Sequence, residues 1–207
     1  MKDKLKLLLS ILISLFPLNI LRVLGYRFLF NYQLKNAKIG WFTIINIEKL
    51  TIENASIGSF TFCSGPLQLT MLSGSNMGSL NYIKCGKWAK EFSSKRCFFI
   101  EENVTITTQH LFDIFGEIRI GKGSFIAGVR SQFWTHGGMS EEVDIIIGEE
   151  CYIGSGVKFA PGTELAEKTL CAMGSVVSKK FNETNILIAG VPAKKIKDNI
   201  DWRKNWK

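Results

Sequence analysis

The chain has 207 residues, of which 46% are hydrophobic and 21% are charged, which describes a folded domain with an appendage and excludes a disordered chain. A formal net charge of +8 indicates attraction to an anionic partner, whether a phosphate-bearing cofactor, a lipid surface or nucleic acid. The basic residues form none of the clustered runs typical of a nucleic-acid-binding face, so we expect no nucleic-acid partner. With two histidines, five cysteines, no Cys-x-x-Cys pair and no Cys/His cluster, we expect no protein metal site.

Residues 1–34 differ in composition from everything that follows. Three lysines within the first six residues precede an apolar run from Leu7 to Phe16, and Pro17 comes next. The run is too short and too interrupted to span a membrane, and no small-residue cleavage site follows it. Pro17 predicts a break between two short helices. Such helices suit either a membrane interface or a cap on the end of the next domain, and both interpretations stay open.

A six-residue repeat runs through residues 35–192. It is clearest where every sixth residue is apolar or a thiol: Ile147, Ile153, Phe159, Leu165, Cys171 and Val177. A short fixed period indicates a solenoid. Three hexads make one coil of a parallel β-helix, in which the first hexad position points inward and the backbones of adjacent coils pair. Because the end coils have no neighbour, they need covers, and the helical segment and the basic tail 193–207 are the candidates.

The same phase recurs at Ile39-Gly40, at Ile57-Gly58 and from Ile114 to Gln132. It fails between Ser64 and Gly86, where Gly, Ser, Asn and Met predict a loop or irregular coils. It fails again at residues 133–146, which we interpret as a histidine-bearing loop thrown out from the solenoid. The odd cysteine count predicts reduced thiols that serve as small buried hydrophobes.

The repeats, the loop and the closing sequences Gly174–Lys179 and Ala189–Ile196 resemble those of the hexapeptide-repeat acyltransferases. The resemblance is strongest to O-acetyltransferases of sugars and surface polysaccharides, and it covers Ile100–Lys197 by motif and the first half by period. It implies a left-handed parallel β-helix with an N-terminal helical segment and a short C-terminal tail or helix. It also implies a homotrimer that binds acetyl-CoA as co-substrate in the cleft between two subunits, and no metal.

By this resemblance His136, on the loop, is the catalytic general base. The role needs a group that titrates near neutral pH and takes the proton from an acceptor hydroxyl as it attacks the thioester. The Gly137-Gly138 pair would let the backbone approach closely and donate N–H groups to the developing oxyanion. No cysteine adjoins the base to carry an acyl group, so we expect direct transfer within a ternary complex.

The other histidine, His110, and the nearby Asp113 are candidates for binding the acceptor. Asp113 could bind an acceptor hydroxyl or orient a histidine. The alternative for both is structural, because an aspartate at a coil corner can cap backbone N–H groups and a histidine can pack on the solenoid wall.

The resemblance places CoA at six further positions, which are Ser155, Met173, Ser178, Lys179, Lys194 and Lys197. Pantetheine pairs with exposed backbone amides, so the side chain matters little at Ser155 and Met173, although the family often has alanine at the position of Met173. The lysines would attract the phosphates, and ordinary solvation is the alternative for each of them.

The expected function is acetyl-CoA-dependent O-acetylation of a sugar hydroxyl during polysaccharide or glycolipid assembly. We expect a cytoplasmic protein, peripheral on the inner face of the membrane if residues 1–34 bind lipid. N-acetylation of an amino-sugar or a small antibiotic would use the same base. A non-catalytic β-helix assembly module would need neither CoA nor His136.

Overall fold

The computed structural model describes residues 3–137 and 141–204. Two helices come first, α1 (Asp3–Ser14) and α2 (Asn19–Phe30), and Pro17 lies between them as predicted. No helix among these residues is long and apolar enough to cross a membrane.

The rest of the chain winds into a prism with three faces of parallel strands. Face 1 contains β1 (Gln33–Lys35), the second halves of β3 (Ile44–Glu53) and β5 (Phe62–Met71), β8 (Cys97–Ile100), β11 (Glu117–Ile120), β14 (Ile145–Ile147) and β17 (Glu164–Leu165). Face 2 contains the first halves of β3 and β5, then β7 (Tyr82–Lys84), β10 (Leu111–Asp113), β13 (Gln132–Trp134), β16 (Lys158–Phe159) and β19 (Val176–Val177).

Face 3 completes the prism. It contains β2 (Lys38–Ile39), β4 (Ser56–Ile57), β6 (Asn76–Met77), β9 (Thr105–Thr108), β12 (Phe125–Val129), β15 (Tyr152–Ile153), β18 (Leu170–Cys171), β20 (Leu187–Gly190) and β21 (Ala193–Lys197). The strands pair in parallel except β21, which turns back antiparallel to β20 at the end of the face. Part of the predicted basic tail is therefore a strand.

The first hexad positions point inward and stack from coil to coil. Four phenylalanines, Phe98, Phe112, Phe133 and Phe159, form a continuous buried pile whose successive ring centroids are 4.6, 4.7 and 4.7 Å apart. All five cysteines are free thiols, and four of them are buried, which confirms their expected role as small hydrophobes. Burial raises the pKa of the Cys63 thiol to about 12, so this sulfur stays protonated and unreactive.

Two of the three corners turn through a left-handed residue in nearly every coil. At corner 1/3, where the chain passes from face 1 to face 3, these residues are Asn36, Asn54, Gly74, Asn103, Gly123, Glu150, Lys168 and Asn185. At corner 3/2 they are Phe42, Phe60, Leu80, Gln109, Arg130, Gly156 and Gly174. Asparagine and glycine tolerate positive φ better than other residues, which explains their frequency at corner 1/3.

The expectation of irregular coils between Ser64 and Gly86 was wrong. This stretch contains β6, β7 and most of β5, with buried residues Met71, Met77 and Ile83 still six positions apart. The phase is displaced because eight positions, instead of six, separate the buried Cys63 from Met71 across corner 2/1. A count that assumes a fixed phase reads this displacement as a break.

Corner 2/1 is where the chain leaves the prism. The predicted loop occupies residues 135–144, between β13 and β14, and part of it lies outside the described residues. A second loop at residues 85–96, which the sequence did not single out, carries a short 3₁₀ helix (Lys87–Glu91). The two loops leave the same corner two coils apart, so they face each other across the coil between them.

The helices close the N-terminal end of the prism. The Tyr26 hydroxyl accepts a hydrogen bond from the Ile45 N–H at 3.1 Å and donates to the Thr43 carbonyl at 2.8 Å. The Tyr32 hydroxyl repeats this arrangement, accepting from the Ile47 N–H at 3.1 Å and donating to the Ile47 carbonyl at 2.9 Å. Both tyrosines are buried, and two phenol groups therefore occupy the place that a preceding coil would fill.

Candidate active site

The candidate site is built on three adjacent strands of face 2. Lys84, Asp113 and Trp134 end β7, β10 and β13, and the register pairs Asp113 with each of the other two. His136 lies two residues beyond Trp134. Because parallel coils stack about 4.8 Å apart, residues more than 20 positions apart in sequence meet here at hydrogen-bond distance.

A buried carboxylate lies at the centre of this group. The Asp113 side chain is 4% exposed, and its Oδ2 lies 2.7 Å from Lys84 Nζ and 3.2 Å from His136 Nε2. Burying a carboxylate is costly unless it is paired. Lys84 supplies the opposite charge, and the His136 ring provides a second polar contact.

Thr135 fixes the start of the histidine loop against the neighbouring coil. Its hydroxyl donates to the Asp113 carbonyl at 2.7 Å and accepts from the N–H groups of Phe115 and Gly116 at 2.6 and 3.1 Å. The residue is fully buried. His136 therefore extends from an anchored position at the edge of the prism, although the loop continues away from the solenoid.

Two indole rings hold the imidazole between them. Trp88, from the second loop, and Trp134 both meet the His136 ring nearly at right angles, with centroids 5.5 and 6.2 Å away. Trp88 also stacks on Phe115 at 5.1 Å. The His136 side chain remains 35% exposed, so it is oriented on several sides and still accessible to a reactant.

These contacts determine which ring nitrogen can act as a base. Nε2 lies 3.2 Å from the Asp113 carboxylate, which can only accept a hydrogen bond, so this contact favours the neutral tautomer with its hydrogen on Nε2. Nδ1 then holds the lone pair. A neutral histidine with one nitrogen bonded to a carboxylate is the arrangement that general bases use.

His110 is buried inside the prism, whereas a residue that binds the acceptor has to be accessible. It is 1% exposed, its Nδ1 accepts from the Ser131 N–H at 3.1 Å, and its Nε2 lies 2.9 Å from the Thr107 hydroxyl. Burial lowers its pKa to about 4. Both nitrogens are used within the prism, which favours the structural alternative and gives the acceptor role no support.

The structure divides the six expected CoA positions among three places. Ser155 and Met173 stack on corner 3/2, where the Gly174 N–H donates to the Ser155 carbonyl at 2.8 Å. The Met173 side chain is 74% exposed and points away from the prism. Lys194 pairs with Ala189 in the β20–β21 hairpin, close to this corner.

The other three positions lie elsewhere. Ser178 and Lys179 follow β19 at corner 2/1, the corner of His136, and Lys179 Nζ lies 5.1 Å from the Phe181 ring. Lys197 pairs with Leu187 at the far edge of face 3. Within one subunit, His136 and the Ser155–Met173 pair therefore lie on different corners. Among residues 3–137 and 141–204, no group of three or more His, Cys, Asp or Glu side chains could hold a metal ion.

No protein-family model matches the chain. Among solved structures, the polysialic-acid-specific acetyltransferase NeuO is 19% identical over 83% of this chain and 82% of that chain, with a TM-score of 0.53. The polysialic acid O-acetyltransferase OatWY is 22% identical over 80% of this chain and 75% of that chain, with a TM-score of 0.43. Maltose O-acetyltransferase from Clostridium difficile is 16% identical over 97% of this chain and 87% of that chain, with a TM-score of 0.41.

The likeness to NeuO shows the fold, and it confirms the predicted left-handed parallel β-helix. Identity at this level establishes the scaffold alone, because unrelated activities share folds. The chemistry has to be argued from the site.

We predict that His110 makes the stability of the protein fall in mild acid. Its pKa is about 4 in the fold against about 6.5 in an unfolded chain, so unfolding takes up a proton between these pH values. This part of the stability is complete above pH 6.5 and is lost as the pH falls towards 4.

The variant His110→Asn should be less stable than the wild type at pH 7 by about 1–3 kcal/mol, because it leaves buried groups poorly satisfied. The difference in unfolding free energy between the two proteins should be smaller at pH 4.5. The wild type loses stability there because its unfolding takes up a proton at His110, whereas asparagine does not titrate. Urea unfolding of both proteins at pH 7, 5.5 and 4.5 measures it. A difference that stays constant with pH would contradict the prediction.

Proposed function

We propose that this protein is an acetyl-CoA-dependent O-acetyltransferase that acts on a sugar hydroxyl. The observation that supports this most directly is the 3.2 Å contact between His136 Nε2 and the buried Asp113 carboxylate, in an accessible site on a left-handed β-helix. NeuO, an acetyltransferase specific for polysialic acid, has the same fold. Acyl transfer to a hydroxyl needs a positioned base, and the site supplies one.

In the proposed mechanism, His136 Nδ1 takes the proton of the acceptor hydroxyl as its oxygen attacks the thioester carbonyl. Asp113 holds the ring through Nε2 and stabilises the imidazolium that forms. His136 then returns the proton to the departing thiolate of CoA. Backbone N–H groups of the loop would receive the developing negative charge, and of the expected Gly137-Gly138 pair only Gly137 lies within the described residues.

We propose that the outer wall of corner 3/2 holds CoA. Ser155 and Met173 would present backbone groups to pantetheine, and Lys194, close to the same corner, would approach the phosphates. Ser178 and Lys179 lie on corner 2/1, and they would reach CoA only from a neighbouring copy. Lys197 lies at the far edge of face 3, and we leave it out of the proposed CoA site.

We propose a homotrimer in which corner 3/2 of one subunit faces corner 2/1 of the next. Within one chain these corners lie on opposite edges of face 2, so a site that contains both His136 and the Ser155–Met173 pair needs a second copy. An exposed apolar row along the N-terminal part of corner 3/2 supports this: Trp41, Phe60 and Leu80 are 47%, 53% and 50% exposed. Such a row is costly on a free monomer.

We further propose that the helices rest on the inner face of a membrane, which would place the enzyme in the cytoplasm beside lipid-linked acceptors. Twelve large apolar side chains of the helices and their connection are exposed: Leu5, Leu8, Ile11, Leu12, Leu15, Phe16, Leu18, Ile20, Leu21, Leu24, Phe28 and Leu29. Lys4 and Arg27 are exposed on the same helices and suit anionic headgroups. The same helices close the prism, so the cap and membrane interpretations are compatible.

We predict that His136→Ala lowers kcat for acetyl transfer by about 10²–10⁴-fold, the usual contribution of a general base. Asp113→Asn should also lower kcat, because it removes the carboxylate that orients the ring. Affinity for CoA, measured by calorimetry, should be unchanged in both. Lys49→Ala, an exposed change on an early coil, is the control. Transfer by His136→Ala at the wild-type rate would refute the proposal.

The trimer predicts complementation between inactive variants. His136→Ala retains an intact corner 3/2, whereas Ser155→Trp blocks that corner and retains the base. Each mixed trimer would contain one complete site of three, so mixed trimers isolated through both tags should have about a third of wild-type activity. Co-expression with two affinity tags, followed by tandem purification and assay, measures this. Mixed trimers without activity would show that both groups act within one subunit.

The membrane contact predicts that the triple variant Leu18→Ser, Ile20→Ser, Phe28→Ser loses binding to vesicles of phosphatidylcholine with phosphatidylglycerol. Flotation with and without the anionic lipid separates the apolar and the electrostatic contributions. The matched control is Val191→Ser with Ile196→Ser, which removes exposed apolar side chains at the opposite end of the prism. Wild-type flotation of the triple variant would contradict the proposed contact.

A further inference from the structure

A cavity of about 610 Å³ lies beside the candidate active site, on the face 1 side of corner 2/1. Both loops of this corner contribute walls. Residues 93–95 come from the second loop, and residues 141–144 come from the loop that carries His136. The lining also includes Phe115, on the coil between the loops. Its size is in the range of small-ligand sites.

Aromatic rings connect the cavity to the base. Phe115 lines the cavity and stacks on Trp88, and the edge of Trp88 meets His136. Trp88 and the adjacent Phe92 are 44% and 55% exposed, although both are large and apolar. The face of an aromatic ring carries partial negative charge and attracts polarised C–H groups, so an exposed tryptophan beside a catalytic base suits a saccharide ring.

The charge of the cavity restricts what can enter. Four carboxylates line it, those of Glu141, Glu142, Asp144 and Glu164, against two ammonium groups, those of Lys95 and Lys180. Both lysines already bind acids: Lys95 lies 2.5 Å from Asp144, and Lys180 lies 2.6 Å from Glu142. A formal excess of two negative charges repels anionic acceptors and accepts hydrogen bonds from neutral hydroxyls.

We propose that this cavity is the acceptor site, and that it selects uncharged saccharides and excludes polyanionic ones such as polysialic acid. The inference rests on the proposed acetyltransferase function. In it, one sugar ring of the acceptor lies against Trp88 with a hydroxyl directed towards His136. The neighbouring rings extend past Phe115 into the cavity, where their hydroxyls bond to the carboxylates. Trp88 and the acidic wall are then determinants of acceptor specificity.

The test measures the binding of oligosaccharides of equal length in the absence of acetyl-CoA, by tryptophan fluorescence and by calorimetry. The probes are maltotetraose and chitotetraose, which are neutral, and α2,8-linked tetrasialic acid. We expect at least one neutral probe to bind and tetrasialic acid not to bind. Trp88→Ala should weaken the neutral probe at least tenfold, and Trp88→Phe should restore most of the affinity. Binding of tetrasialic acid as tight as that of the neutral probes, or of no probe at millimolar concentration, would overturn the proposal.

A second pair of variants tests the charge argument. Glu141→Gln with Glu164→Gln should admit tetrasialic acid, and Glu53→Gln with Glu102→Gln, at corner 1/3, is the matched control. Unaltered exclusion after neutralising the wall would also overturn the proposal. Since the assay needs no turnover, the acceptor proposal and the acetyltransferase proposal fail separately: loss of CoA binding or catalysis would leave sugar binding intact.

Discussion

Backbone pairing between parallel coils determines which residues of this protein lie side by side. Each coil lies about 4.8 Å from the next, so a residue at a given point of one coil lies beside its counterpart in the neighbouring coils. Lys84, Asp113 and Trp134 are 21 or more positions apart in sequence, yet they end adjacent strands in exact register. The prism supplies a rigid edge, and function is added where the chain leaves that edge.

The buried carboxylate of Asp113 links the packing of this edge to the orientation of His136. Unpaired, it would destabilise the prism, and paired only with Lys84 it would be a structural ion pair. His136 shares the same oxygen and takes its orientation from a group that the scaffold has already fixed. In the mechanism proposed for His136, preorganisation of this kind would require no movement of the ring when substrates bind.

The sequence predicted the features that repeat and missed those that occur once. Hexad counting identified the prism, its inward residues and the loop at His136, because each is a property of phase. It misread Ser64–Gly86, since two extra corner residues displaced the phase without breaking the coil. The pairing of Asp113 with Lys84, the contact of Trp88 with His136 and the burial of His110 depend on which coils are neighbours and on what a corner loop covers. No pattern within a short stretch of sequence predicts such contacts between coils.

The tyrosine contacts at the N-terminal end have a consequence for the solution behaviour of the chain. A β-helix that stops abruptly exposes a ring of unpaired N–H and C=O groups, which invites another prism to stack on it and extend into a filament. Tyr26 and Tyr32 pair backbone groups of Thr43, Ile45 and Ile47 with their phenol oxygens. A phenol has no backbone N–H and C=O groups with which another strand could pair. The buried Ser10 hydroxyl adds to them, accepting from the Ile45 N–H at 2.8 Å and donating to the Ile45 carbonyl at 3.0 Å. Three hydroxyls thus close the first edge of face 2 against pairing with another prism.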